Sequence, residues 1–146
     1  MLSDLLKTLL ASTYAYTIKV QFFHWNTEGK DFYQMHKFFQ KIYEDSYDAI
    51  DVVAEEIRTL NEYTPGSFER FLELSVIHGQ TKVPRTELML QELLADSDIM
   101  IDLLNQCFTA ATGENKQDIA NFMAERLAAT NKFKWQIQSF LKVERA

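Results

Sequence analysis

An all-α four-helix bundle, with a short helix in a long crossover between its second and third main helices, is the fold class predicted by this sequence of 146 residues. Three observations predict it. Only 4 Gly and 2 Pro are present to break the chain, while Leu, Ala, Glu, Lys and Met, which favour helix, recur throughout. Apolar residues return at spacings of three and four, the period of a helix with one buried face. Hydrophobic residues make up 47% of the chain, enough for one sizeable core in a single domain over residues 1–146 and too many for a disordered chain.

The first helix is expected from about Ser3, read as its N-cap, to Glu28, with Leu6, Leu9, Leu10, Ile18, Phe22 and Trp25 on its apolar face and Gly29 as its stop. Asp31 opens the second as N-cap, with Gln34 as its capping-box partner, and Phe38, Phe39, Ile42, Ile50, Val53 and Ile57 carry it to about Tyr63. Thr64-Pro65-Gly66-Ser67 breaks the chain. From there to Pro84 the segment is too long for a tight turn, yet it carries Phe68, Phe71, Leu72 and Ile77, so a short helix inside a crossover is expected. The third main helix runs from about Pro84 to Ala111, with Leu90, Leu94, Ile101, Leu104 and Phe108 at spacings of 4, 7, 3 and 4, and Gly113 ends it. The fourth opens near Asn115, carries Ile119, Phe122, Phe133, Ile137 and Phe140, and reaches about Val143. Two helices, one long crossover and two more helices is the connectivity of ferritin-like bundles.

Lys and Arg number 15 against 21 Asp and Glu, a net charge of −6, which is the wrong sign for wrapping nucleic acid. The single cysteine, Cys107, cannot form a disulfide within the chain and sits among Leu103, Leu104 and Phe108 as a small buried hydrophobe. The opening MLSDLLKTLLAS is interrupted by Lys7 and lacks a signal-peptide layout, so a reduced, cytoplasmic setting is expected. No stretch approaches the ~18 continuous apolar residues of a membrane span, so no membrane partner is expected.

Of the histidines His24, His36 and His78, the first two flank the first interhelical turn, and His78, beside Gly79 in the crossover, reads as surface. On the second helix Glu44, Asp48, Asp51 and Glu55 recur at spacings of 4, 3 and 4, which sets all of them on one stripe. Such a stripe is either a solvated face or part of an oxygen-and-imidazole metal site suited to iron, zinc or manganese. One cysteine is too few for thiolate zinc or an iron–sulfur cluster. Bundles that hold two irons inside one subunit use a Glu-x-x-His pair on each of two helices; this chain contains none. A metal site here must therefore draw histidine and carboxylate ligands from different subunits. Trp25 reads either as a wall limiting solvent beside His24 or as a buried anchor of the bundle. Glu114 and Asp118 favour the dipole of the last helix, or line a pore in an assembled shell.

The stretch His24-Trp25-Asn26-Thr27-Glu28-Gly29, followed by Asp31-Phe32 and His36, resembles the H-W-N-x-x-G…F…H signature of the Dps family, mini-ferritins named as DNA-binding proteins from starved cells. Asp51-x-x-x-Glu55 falls where that family places its carboxylate ligands. The likeness is specific across residues 20–60 and looser elsewhere. It implies a four-helix subunit in a homo-oligomer, a hollow dodecamer with a ferroxidase centre at each two-fold interface. Under it, His24 and His36 come from one subunit, and Asp51 and Glu55 of the partner subunit complete the site. The resemblance further implies that iron(II) would be oxidised there, preferentially by hydrogen peroxide, and the ferric product stored inside, protecting against oxidative damage. Zinc is the alternative occupant of the same site.

Two departures from the family pattern matter. Four residues after the second histidine, where the family carries an acid that helps hold a second iron, this chain has Gln40. A weaker second position is expected, with Glu44 as the candidate substitute and a metal-binding cage of little turnover as the alternative. Family members that bind DNA use a mobile Lys/Arg-rich extension, whereas the opening ten residues here hold only Lys7 and the segment from Lys142 to Ala146 mixes signs. DNA association is therefore expected only through bridging cations.

Overall fold

The computed structural model describes residues 1–142. Among them the chain forms five helices and no strand: α1 (Leu2–Asn26), α2 (Phe32–Thr59), α3 (Phe68–Leu74), α4 (Thr86–Gly113) and α5 (Gln117–Leu141). The short turns after α1 and α4 fold each helix back on its successor, giving two antiparallel hairpins. Helix α1 also packs on α4, closing the bundle, and α3 lies across α1 in the crossover. Leu6, Phe23, Phe39, Ile57, Leu93 and Met123 fill the core at 5% exposure or less, and Met35, Met89 and Met100 are buried with them. No described helix is long and apolar enough to cross a membrane.

The helix ends differ in detail from the sequence expectation. Ser3 does not cap α1: the helix starts at Leu2, and its first N–H donates instead to Glu114 Oε2 at 3.1 Å, a cap supplied by the turn between α4 and α5. Asp31 does stand at the N-cap of α2, but its side chain makes no capping bond. The first turn runs through Gly29 at φ +114°, a conformation that favours glycine. Helix α2 stops at Thr59, short of Tyr63, with Asn61 at φ 63°. Helix α4 runs on to Gly113, and Asn115, expected to open the last helix, instead makes the turn at φ 59°. The expected last helical residue, Val143, lies outside the described residues.

Several side chains read as core are on the surface. Ile18 is 47% exposed, Trp25 64% and Phe140 50%; Phe108 is also exposed. Conversely, Lys19 is buried. Its Nζ pairs with Asp96 at 2.8 Å and Glu92 at 3.3 Å, and donates to the His78 carbonyl at 3.1 Å. Gln80 Nε2 in turn donates to Glu92 at 2.9 Å, so one ammonium ties the crossover to α1 and α4. Midway along the bundle Thr13, Tyr16, Ser46 and Ser97 form a polar layer beside the Asp45–Arg126 pair at 2.8 Å. A cation already neutralises the one carboxylate of that layer.

Candidate metal centre

His24 lies in the last turn of α1 and His36 in the second turn of α2, and the connection between the helices brings the two rings together. They stack with centroids 3.7 Å apart and planes inclined by 17°. Each ring is also bonded to the other residue's backbone: His24 Nδ1 to the His36 carbonyl at 2.6 Å, and His36 Nδ1 to the His24 carbonyl at 2.8 Å. A carbonyl oxygen only accepts, so both Nδ1 atoms carry protons and donate. In the neutral imidazole each Nε2 then carries the lone pair that a metal ion takes. Orienting an imidazole ligand through its second nitrogen in this way is the usual support of a metal-bound histidine. The His24 carbonyl also belongs to the last turn of α1, where helix geometry leaves it without a helical partner. The His36 ring supplies one.

Two further rings extend the stack. Phe32 lies on His36 at 5.1 Å and 26°, and Tyr43 sets its edge on His24 at 5.2 Å and 65°. Phe32 belongs to the motif read from the sequence; Tyr43, which reads from the sequence as packing, reaches His24 because residues 36, 40 and 43 share a helix face at spacings of four and three. Gln40, half-buried one turn after His36, donates from Nε2 to Glu44 Oε1 at 2.8 Å.

Asp51 and Glu55 are exposed on α2, 15 and 19 residues beyond His36. At about 1.5 Å per residue that places them ~22 and ~28 Å along the helix axis from it. Ligands of one ion lie within about 5 Å of each other, so His36 and these carboxylates of the same chain cannot share one. Among the described residues no three His, Cys, Asp or Glu side chains converge to hold an ion. Within one chain the two histidines and these two carboxylates thus lie well apart.

The remaining candidates divide. His78 is exposed, and only its carbonyl is used. Trp25 is exposed, which removes the buried-anchor reading. Cys107 is fully buried, and burial, with the Glu56 charge second, pushes its thiol up to about 12. Glu56 itself escaped the sequence reading. Half-buried, with Oε2 lacking a hydrogen-bond partner among the described residues, it is pushed up to about 7 by burial and then by the charge of Asp118.

Comparison with known proteins places this geometry in context. The sequence profile of a family described as Ferritin-like domain matches residues 3–146. The chain is 30% identical over 142 residues to an uncharacterised low temperature-induced protein of Nostoc sp., covering 95% of this chain and 79% of that protein. It is 27% identical over 139 residues to a DNA protection during starvation protein of Helicobacter pylori, covering 94% and 96% of the two chains. Among solved structures, a Dps protein of Vibrio cholerae O1, itself described as a member of a broad superfamily of ferritin-like diiron-carboxylate proteins, superposes with a TM-score of 0.92. That match has 26% identity and covers 97% of this chain and 89% of the other.

Proposed function

The chain belongs to the ferritin-like domain family and, within it, to the Dps mini-ferritins, and from that premise we propose that it binds and oxidises iron(II) at centres shared between subunits. Membership makes it, in general terms, an iron-storage and stress-protection protein; the finer reading is built from its own residues. His24 and His36 supply two imidazole nitrogens at Nε2, and Asp51 and Glu55 of the partner subunit supply the negative oxygens. The observation that carries this reading is the separation of the two halves on α2, which only a second copy can bring together. A two-fold axis that sets α2 antiparallel to its copy meets that requirement, because an isologous interface places residue i against j and j against i.

In this reading iron is substrate and cargo. Two ferrous ions supply the two electrons that, with two protons, reduce one hydrogen peroxide to two waters, so no hydroxyl radical leaves the site. Imidazoles keep the ferrous ion exchangeable, while the carboxylates favour the ferric product. The product passes into a hollow homo-oligomer, proposed as a dodecamer, in a cytoplasmic setting. Zinc, whose usual ligands are the same nitrogen and oxygen donors, competes for the centre. DNA association requires bridging cations, since a shell of subunits each carrying −6 repels phosphate.

Gln40 favours a second reading within the same architecture, a cage that binds metal with little turnover, because its amide brings no charge to the second position. Anaerobic iron(II) titration followed by peroxide separates the two. One tight iron per centre, oxidised on peroxide addition, is expected. Asp51→Asn or Glu55→Gln should abolish that tight class, and Gln40→Asp should add a second and speed oxidation. Two tight irons per centre in the wild type, unchanged by Gln40→Asp, would contradict the assignment of residue 40; tight binding with no oxidation would establish the second reading.

A further inference from the structure

The polar layer midway along the bundle surrounds a cavity of about 30 Å³, to which all four main helices contribute: Thr13 and Tyr16 from α1, Asp45 and Ser46 from α2, Ser97 from α4 and Arg126 from α5. The protons of the small hydroxyls are already committed. Thr13 Oγ1 donates to the Leu9 carbonyl at 2.7 Å and Ser97 Oγ to the Leu93 carbonyl at 2.8 Å. Thr17 Oγ1 donates to the Thr13 carbonyl at 2.7 Å, so the Ser46 proton is shared between Thr17 Oγ1 at 2.8 Å and the Tyr43 carbonyl at 3.2 Å. Asp45 Oδ2 accepts from Arg126 at 2.8 Å. Toward a guest in the cavity these hydroxyls and the other carboxylate oxygen act only as acceptors.

Tyr16 is the exception. Its side chain is 9% exposed, and Oη enters none of the bonds just described, whereas a buried phenol ordinarily has a partner. Burial, followed by the charges of Asp96 and Asp45, pushes the phenol up, so it keeps its proton and donates. The guest is neutral, because an anion would meet the Asp45 carboxylate and a cation the Arg126 guanidinium. It must also bring donors to the acceptors and an acceptor to the phenol. Water does both, and a buried water takes roughly 10–15 Å³ of such space and two to four polar partners. We propose that this cavity is an internal hydration site, in which about two water molecules accept from Tyr16 Oη and donate to Ser97 Oγ, Thr13 Oγ1 and Asp45, joining the four helices at one level. The layer then fixes the register of the helices, since a helix shifted by one turn would leave these buried groups unpaired.

Crystals of the assembled wild type equilibrated under xenon test this first, because xenon enters a dry cavity and not one filled by bonded water. Water density about 2.5–3.0 Å from Tyr16 Oη, with no xenon, is expected. Xenon in the cavity, or no density there, would overturn the proposal. Tyr16→Phe tests it in solution, since it keeps the ring and removes only the hydroxyl. With water in place the variant loses one hydrogen bond and should melt about 2–4 °C lower. In a dry cavity the same change removes an unpaired donor and should raise the Tm. An unchanged or raised Tm would overturn the proposal.

Discussion

Glu56 shows how far one turn of a helix changes the fate of a carboxylate. Glu55 faces solvent, but the rotation of about 100° per residue swings its neighbour inward beside Asp118, where Oε2 finds no partner among the described residues. The carboxyl is pushed from 4.5 to about 7, chiefly by burial, so the native state holds that proton more tightly than the unfolded chain does. The associated stabilisation is fully present below about pH 4.5 and is lost as pH rises through about 7. Glu56→Gln should therefore leave urea stability at pH 4 nearly unchanged and raise it at pH 8 by on the order of 1–2 kcal/mol, after solvent screening is allowed for. An unchanged or lowered midpoint at pH 8 would contradict this origin. At the same scale, the motif singles out His24 and His36, and the structure stacks their rings. The reciprocal bonds to each other's carbonyls were not legible there, because they depend on how the turn between the helices closes. Trp25 misled because its helical spacing fits the apolar stripe, yet its ring lies outside the bundle.

Among elements, Lys19 ties the crossover to α1 and α4 through buried ion pairs and a bond to the His78 carbonyl. Lys19 is 5% exposed and Asp96 6%, so Lys19→Met would strand a buried carboxylate beside Glu92. Breaking a buried pair from one side costs about 3–5 kcal/mol, whereas replacing both partners with apolar residues is often neutral. Urea denaturation should find Lys19→Met strongly destabilised and Lys19→Met/Asp96→Leu largely restored; a single variant costing less than about 1 kcal/mol would show that the clamp contributes little. The number, order and class of the helices were readable because Gly and Pro are scarce and the apolar period is strong. The ends were less so. Glu114 caps α1 from far along the chain, a tertiary arrangement that no local capping rule anticipates. A clue to Lys19 did exist, since it lies on the stripe shared by Tyr16, Val20 and Phe23, where an ammonium needs a buried partner.

For the whole molecule, the surface carries more apolar area than a solitary bundle needs. Phe68 and Leu72 of α3 are 75% and 83% exposed with Ile18 beside them, and Trp25 and Phe32 are exposed on either side of the turn between α1 and α2. Such patches mark contact sites. Phe32 stacks on His36, whereas Phe68 lies beside Ile50 and Ala54 on the stretch of α2 that carries Asp51 and Glu55. The central claim, that each centre is built by two subunits, is tested most directly by mixing chains. His24→Ala/His36→Ala subunits and Asp51→Asn/Glu55→Gln subunits should each assemble without tight iron binding. In a mixed two-fold pair, one centre collects all the substitutions and the other none, so an equal random mixture should recover about a quarter of the wild-type tight sites and their peroxide-dependent oxidation. A mixture that recovers no tight sites although light scattering shows mixed assemblies, or a parent that binds iron tightly by itself, would contradict the account.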